Sequence, residues 1–418
     1  MTAHAGSVPA AAHAVVDVTL RGILDSRGEV AAEAELRLAS GSTGRASTAV
    51  AIARGRREEQ RTAGLRLGLL PAEITADVRR LCVRDYDGQR AFDDALAEVD
   101  AECALGSDLT AALSLAFARA CADTAGLPLA RYVGELARRD GANDGADHAV
   151  GMPHPLVNAF SGGVHVREPR LPFQQIMLVP AFGSFVQDAE AALDVYAAIE
   201  AALDRAGVRF GYSASSGLVA ERLGYREALD AALAAIERCG FAGRVALGID
   251  VAAEHLRTPS GRYRVGPREL DGDELAAELL DLARAYPLVY IEDPFDADDE
   301  ALWGAFSRAV PAPACVVGDD LFASSARHVA PGLAHGILLK LSQSGTLTRA
   351  LDAARAALRH GMALCVSHRS GETEDTGLCD LAVGLGARYV KIGGPRRGDR
   401  VAKYNHLLRL AETMVPVG

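Results

Sequence analysis

No stretch of the sequence approaches the ~20 consecutive apolar residues that a membrane-crossing helix needs, which argues against a helical membrane protein. Cysteine is sparse and unpatterned. Seven are scattered along the chain, an odd number, and no two are spaced as CxxC, which fits buried thiols in a reducing compartment better than a disulfide framework or a zinc ribbon. Basic charge is in deficit: a formal net charge of -11 and a pI near 5.5 argue against nonspecific nucleic-acid binding, though not against a small anionic substrate held in a local cationic pocket. The first residues, MTAHAGSVPAAAHAVV, lack the basic start and long apolar core of a signal peptide, so residues 1–14 are expected to be a flexible tail and the protein cytoplasmic. There is no internal repeat.

At 418 residues, 49% of them hydrophobic, the chain is long enough for a large core and two domains. The stretch HGILLKLSQSG (335–345) sets the pattern for the second half. Ile337, Leu338 and Leu339 read as a strand buried on both faces, and Lys340 sits where it runs out. The same grammar recurs in VALGID (245–250), LVYIED (288–293), CVVGDD (315–320), ALCVSHR (363–369) and YVK (389–391), each an apolar run ending in acids, a histidine or a basic residue. Helical periods separate them, at 273–286, 346–361 and 375–387. Alternating strands and helices with polar strand ends predict an α/β barrel whose chemistry gathers at one mouth. Before it, residues 15–38 read as strands around a turn at 25–28, and 89–104, 108–124 and 128–139 as helices. A smaller α+β domain is therefore expected at 15–140, a glycine-rich polar linker at 141–151 and the barrel at 152–418.

ILDSRG (23–28), GGVH (162–165), LPFQQIMLVP (171–180), IEDPFD (291–296), GDDL (318–321), VSHRSGETEDT (366–376) and AKYNHLLR (402–409) together resemble the enolase family along nearly the whole chain. The resemblance implies an N-terminal capping domain, a modified (β/α)8 TIM barrel of ββαα(βα)6 type, divalent metal and a homodimer. It assigns Asp250, Glu292 and Asp319 to a Mg2+ site, a role that three oxygen donors at successive strand ends suit independently. It makes Lys340 the general base and Lys391 the lysine that contacts the substrate carboxylate. Arg369 and Ser370 become the grip on a substrate phosphate, for which a guanidinium and a hydroxyl are apt donors. His165 and His368 become active-site histidines. Crowding by Lys391 and the metal is expected to lower the Lys340 pKa.

The match breaks at three places. Gln175 stands where the family carries the glutamate of its PFQE segment, and Ser215 stands at or near a second glutamate, so both acids that help expel hydroxide are replaced. Over the serine-bearing lid lies VAIARG (50–55), with Ala53 at the metal-binding serine and Arg54 beside it; a gapped alignment through Ser47 and Thr48 is the second choice. One Mg2+ site is expected, with the second altered or lost. Gln175 donates a hydrogen bond but no proton, leaving His165 the first candidate for a general acid. The expectation is a Mg2+-dependent lyase of specialised metabolism that removes the proton alpha to the carboxylate of a 2-phosphoglycerate-like phosphorylated or phosphonylated acid and eliminates water or another beta group, with little ordinary enolase activity. An isomerase or epimerase using the same enolate, and a non-catalytic binding homologue, are the alternatives.

Overall fold

The computed structural model describes residues 13–48, 55–58, 64–82, 84–139, 151–166 and 170–414. Ala53 and Arg54, nearly all of the expected tail and nearly all of the expected linker lie outside these residues. The strands Val15–Leu24, Val30–Leu38 and Thr43–Ser47 form an antiparallel meander, and Gly68–Leu69 pairs along its free edge. The turn joining the first two strands is built by Asp25, whose Oδ1 accepts the backbone N–H groups of Arg27 (2.8 Å) and Glu29 (2.9 Å), an Asx arrangement that the aspartate makes possible. Helix Ser107–Thr124 is apolar almost all round because it is covered all round, by the meander on one side and by helix Leu341–Ser344 of the barrel on the other. Gly44 permits its close approach to the meander: a Cβ there would fall 1.9 Å from the Ala116 carbonyl oxygen.

A buried clamp joins the two domains. The Arg119 guanidinium donates to both oxygens of Asp375, at 2.6 and 2.8 Å, while the Ser47 N–H donates to Asp375 at 3.0 Å and the Ser47 hydroxyl lies 2.8 Å from that of Thr373. Burial alone would raise Asp375, but the Arg119 charge outweighs it and holds the carboxyl below its ordinary 3.8. A carboxyl lowered on folding contributes stability that is full above its unfolded value and is lost as the pH falls through the folded one. Acid titration below pH about 4 should therefore loosen this contact. Arg119→Ala should cost about 1.5–3 kcal/mol, the worth of charged hydrogen bonds, and flatten that acid limb in urea melts taken from pH 6 to pH 3.

Eight strands close the barrel: His154–Ser161, Gln175–Pro180, Val245–Asp250, Leu288–Glu292, Cys315–Gly318, Gly336–Leu339, Ala363–Ser367 and Tyr389–Lys391, the last pairing with the first. The second runs antiparallel to both its neighbours, and helices Phe185–Arg205 and Tyr225–Arg238 follow it, the ββαα start that the resemblance implies. One crossover departs from that pattern. Among the described residues no helix joins Cys315–Gly318 to Gly336–Leu339; Ala323 and Ser324 both take positive φ (44° and 49°), which a right-handed helix cannot accommodate. Leu338 points into the barrel with Leu156, Met177, Tyr290, Val317 and Cys365, whereas Ile337 and Leu339 face the outer helices, so the strand is buried on both sides as its composition predicts.

All seven cysteines are free thiols. No helix among the described residues is long and apolar enough to cross a membrane.

Candidate active site

Strand register lays a polar tier across the barrel mouth. Gln175 pairs with Asp250, Asp250 with Glu292, and Ser367 with Lys391, so these side chains leave adjacent strands at one level. Just beyond lie Asp319, Lys340, His368, Arg369 and Ser370. A cavity of about 50 Å3 is lined by these five together with Gln174, Gln175, Asp250, Asp293, Asp320, Lys391 and His165. Nine of the ten residues expected from the sequence border it. The tenth, Glu292, lies just beneath, held by the Tyr290 hydroxyl at 2.8 Å and linked to the cavity through Lys391.

Two lysines neutralise the expected carboxylate trio. The Lys391 ammonium donates to Asp250 Oδ2 at 2.8 Å and to both Glu292 oxygens at 2.8 Å, whereas Lys340 is ion-paired with Asp319 Oδ2. Burial first, and then the Asp250 charge, push Glu292 up to about 7 even against Lys391. Burial alone would lower Lys391, but Asp250 and Glu292 hold it well above its usual value. Lys340 departs from the expectation of a lowered pKa. Burial depresses it, but the Asp319 carboxylate outweighs burial and the opposing Arg369 charge, so the amine sits above its ordinary value. Its dominant neighbour is an acid rather than Lys391.

Asp319 also belongs to a second grouping. Asp293, Asp319 and Asp320 can each bring one oxygen within 4.8 Å of the others. Asp293, however, turns both its oxygens to backbone, accepting the Asp319 N–H at 2.8 Å and the Asp320 N–H at 2.9 Å, which makes it a brace for the loop that presents Asp319. Asp319 Oδ1 is buried with no hydrogen-bond partner, and Gln174 donates to Asp250 Oδ2 at 3.0 Å while one end of its own amide is left without a partner. A set of buried, oxygen-only donors with an orphaned carboxylate oxygen among them fits Mg2+, and Asp250, Glu292 and Asp319 are the residues placed to hold it.

The segment carrying His368, Arg369 and Ser370 is organised from behind by the last helix, Gly398–Met414. Arg400, fully buried, donates to His368 Nδ1, to the Arg369 carbonyl at 3.1 Å and to the Ser370 carbonyl at 2.8 Å. A guanidinium has no acceptor, so His368 Nδ1 must accept and the ring hydrogen sits on Nε2. Burial, then Arg400, keep that imidazole uncharged. Lys403 donates to Glu372 at 2.8 Å, and Glu372 accepts the Arg369 N–H at 2.9 Å.

The Arg369 side chain is ion-paired with Glu58, from the capping domain, and both are buried. Three residues earlier, a Cβ on Gly55 would meet the Asp320 carboxylate at 2.3 Å, so the capping loop leans on the mouth. Glu58 competes with a bound anion for the Arg369 guanidinium, whose Nη1 is buried without a partner. Glu58→Gln should therefore tighten the affinity of the cavity for inorganic phosphate roughly tenfold, about 1.4 kcal/mol, measurable by calorimetry.

The replaced acids are accounted for. Gln175 borders the cavity with one end of its amide buried and unpartnered. Ser215 does not reach the cavity lining; its hydroxyl accepts from the Asn158 amide at 3.0 Å and lies 3.2 Å from that of Ser213, itself 2.8 Å from Ser161. None of these groups carries a dissociable proton near neutral pH. His165 lies on the turn Gly163–His165, and burial pushes it down to about 4, so it is uncharged at neutral pH. Ser47 and Thr48, the second-choice lid residues, are instead engaged with Thr373 and the Asp108 carbonyl at the domain junction.

Sequence reading missed Glu58, Asp293, Arg400 and Lys403 as parts of this site. One signal was available. The chain has only three lysines, Lys340, Lys391 and Lys403, among 44 basic residues, and all three lie at the mouth or directly behind it. Arginine serves every other basic position, so the three lysines mark places where a compact ammonium rather than a planar guanidinium is used.

An N-terminal domain beside a closed barrel, with carboxylates, two lysines and a buried arginine gathered at one mouth, is the arrangement of a lyase of the enolase superfamily, and the sequence matches agree. Residues 149–417 match the family model "Enolase, C-terminal TIM barrel domain", and residues 15–133 match "Enolase, N-terminal domain". An enolase from Mycobacteroides abscessus is 35% identical over 415 residues, covering 95% of this chain and 94% of its own length. The chain belongs to the enolase family.

Proposed function

We propose that this chain is a Mg2+-dependent lyase whose base, Lys340, removes the proton alpha to the carboxylate of a small phosphorylated or phosphonylated acid, with expulsion of water or another β group following. One observation carries the reading: Lys340, Asp250, Asp319 and Arg369 line a single mouth with Glu292 directly beneath it, while the two positions that carry glutamates for expelling hydroxide in the family hold Gln175 and Ser215. A lysine base with Mg2+ beside an enolate is chemistry shared across the superfamily rather than special to this chain. When bound by Asp250, Glu292 and Asp319, Mg2+ would supply positive charge next to the substrate carboxylate.

This chain's own residues do the rest. Arg369 and Ser370 orient the phosphoryl or phosphonyl group, and His368 offers its Nε2 hydrogen from a tautomer fixed by Arg400. Lys340 has to be uncharged to take a proton, and its ion pair with Asp319 opposes that, so Asp319 sets the proton affinity of the base. His165, uncharged, assists departure of the leaving group through a neutral hydrogen bond. A leaving group that needs less acid help than hydroxide suits this mouth, which is why we place the enzyme in specialised metabolism. As in the family resemblance, a homo-oligomer in the cytoplasm is the working form.

The contacts of Lys391 favour elimination over epimerase chemistry. A second base must shed its proton, whereas Lys391 is locked between two carboxylates that hold it protonated. Incubation of the chain and Mg2+ with 2-phosphoglycerate and phosphono analogues, followed by 31P NMR, should show a new enol-type product, formed slowly from 2-phosphoglycerate. Deuterium uptake from solvent with inverted product and no alkene would establish the epimerase instead. Binding unaffected by loss of Lys340, without turnover of any substrate, would establish a non-catalytic role.

A further inference from the structure

A second cavity, of about 310 Å3, shares no lining residue with the catalytic one. Its wall carries Arg327 from the helix-free crossover and Arg349 from the first turn of helix Leu347–Arg359, with the Ser325 hydroxyl beside them, and Arg57 from the capping domain, whose guanidinium is also engaged by Asp298 at 3.0 Å and by the Leu321 and Ala297 carbonyls at 2.8 and 3.1 Å. Its one acid, Asp352, is already engaged by Arg90 at 2.8 Å and Arg355 at 2.6 Å. His328, close by, is held below its ordinary value, by burial first and then by the Arg57 and Arg327 charges, as a positive field requires.

The cavity also contains an unanswered donor. Gln343 is 3% exposed; its Oε1 accepts from the Ser324 hydroxyl, but its Nε2 is buried without an acceptor. Native proteins seldom bury an amide N–H unpaired, and the positive charges of Arg327 and Arg349 on the same cavity wall favour a negatively charged acceptor. We infer that this cavity is a binding site for a phosphate-class oxyanion, separate from the catalytic mouth. Its back wall reaches the base: Ser324 Oγ, bonded to Gln343, also accepts the Lys340 backbone N–H at 2.9 Å. An anion on Gln343 Nε2 is thus two side chains from the general base.

Inorganic phosphate titrated into the full chain by calorimetry tests the site. Gln343→Glu keeps the acceptor for Ser324 and replaces the orphaned donor with an oxygen. Arg327→Ala/Arg349→Ala removes two exposed side chains, so the fold is spared, with circular dichroism as the check. Each variant should bind one equivalent fewer than the wild type, or bind it at least tenfold more weakly, whereas Arg369→Ala should lose a different equivalent and leave this one intact. Titration of the double variant indistinguishable from wild type would overturn the inference. So would chloride competing as well as phosphate, which would mean simple ion screening. Because the catalytic equivalent is scored separately through Arg369, failure here leaves the proposed lyase reading standing, and failure of that reading leaves this site standing.

Discussion

Replacing Lys340 by methionine should lower exchange of a substrate's α proton by about 10²–10⁴-fold, the contribution expected of a positioned general base, and leave Kd for inorganic phosphate at the catalytic mouth within about threefold. Two features of the geometry set this expectation. The amine ends strand Gly336–Leu339, where its backbone is pinned by Ser324 at 2.9 Å, so the base is aimed by a rigid element rather than by a loop. The proposed anion grip, by contrast, comprises Arg369 and Ser370 on a different strand end, a segment held by Arg400 and Lys403 from the last helix. Methionine keeps the unbranched stem and removes the charge, so Asp319 loses its ion pair; some loss of stability should accompany the loss of rate, and the cation affinity of the trio should rise. Single-turnover deuterium exchange beside phosphate calorimetry separates the two effects. Equal loss of rate and of phosphate affinity would mean that Lys340 serves binding rather than proton transfer.

Lys391→Met should be the most destabilising single change at the mouth. The ammonium is the shared counter-ion of Asp250 and Glu292, both about 1% exposed, and removing one partner of a buried ionic set costs about 3–5 kcal/mol because the remaining charges are left in a poor solvent. Urea melts in EDTA should show that loss. Mg2+ should then return a large part of it, about 2.7 kcal/mol at a hundredfold excess over its Kd, because the freed carboxylates are the proposed ligands. In the wild type the same addition should stabilise less, since the ion competes with the ammonium. Destabilisation without Mg2+ rescue would leave Asp250 and Glu292 as a structural pair and move the metal toward Asp293, Asp319 and Asp320.

Much of this architecture was legible from the sequence because strand ends announce themselves. An apolar run buried on both faces, as at 337–339, has no use for a lysine at its end unless that end opens on a cavity, and the repetition at 250, 292, 319, 369 and 391 points to one shared mouth. Register then converted spacing into proximity, placing Gln175, Asp250 and Glu292 side by side. The supporting groups were not legible in the same way. Arg400 lies on a helix behind the mouth, one basic residue among many in RRGDRVAKYN, and only packing shows that its guanidinium fixes a histidine tautomer. Glu58 reaches Arg369 across 311 residues of sequence, a contact that no local pattern encodes. The reversed direction of the Lys340 shift has the same origin: its pKa depends on which charge lies nearest, and sequence placed Lys391 and Asp319 at one mouth without ranking their distances. The missing crossover helix was hidden for a local reason, because nothing in FASSARH declares two successive left-handed residues.

The central claim is that this mouth still removes hydrogen from carbon beside a carboxylate, whatever becomes of the leaving group. 2-Phospholactate tests it most directly, since it offers the carboxylate, the α proton and the phosphoryl group but has no β substituent to expel. Incubated with the wild-type chain in D2O, it should lose its α-proton NMR signal in a Mg2+-dependent manner, and Lys340→Met should leave the signal intact. Retention of that signal with the wild-type chain, under conditions where calorimetry shows the ligand bound with Mg2+ present, would contradict the account.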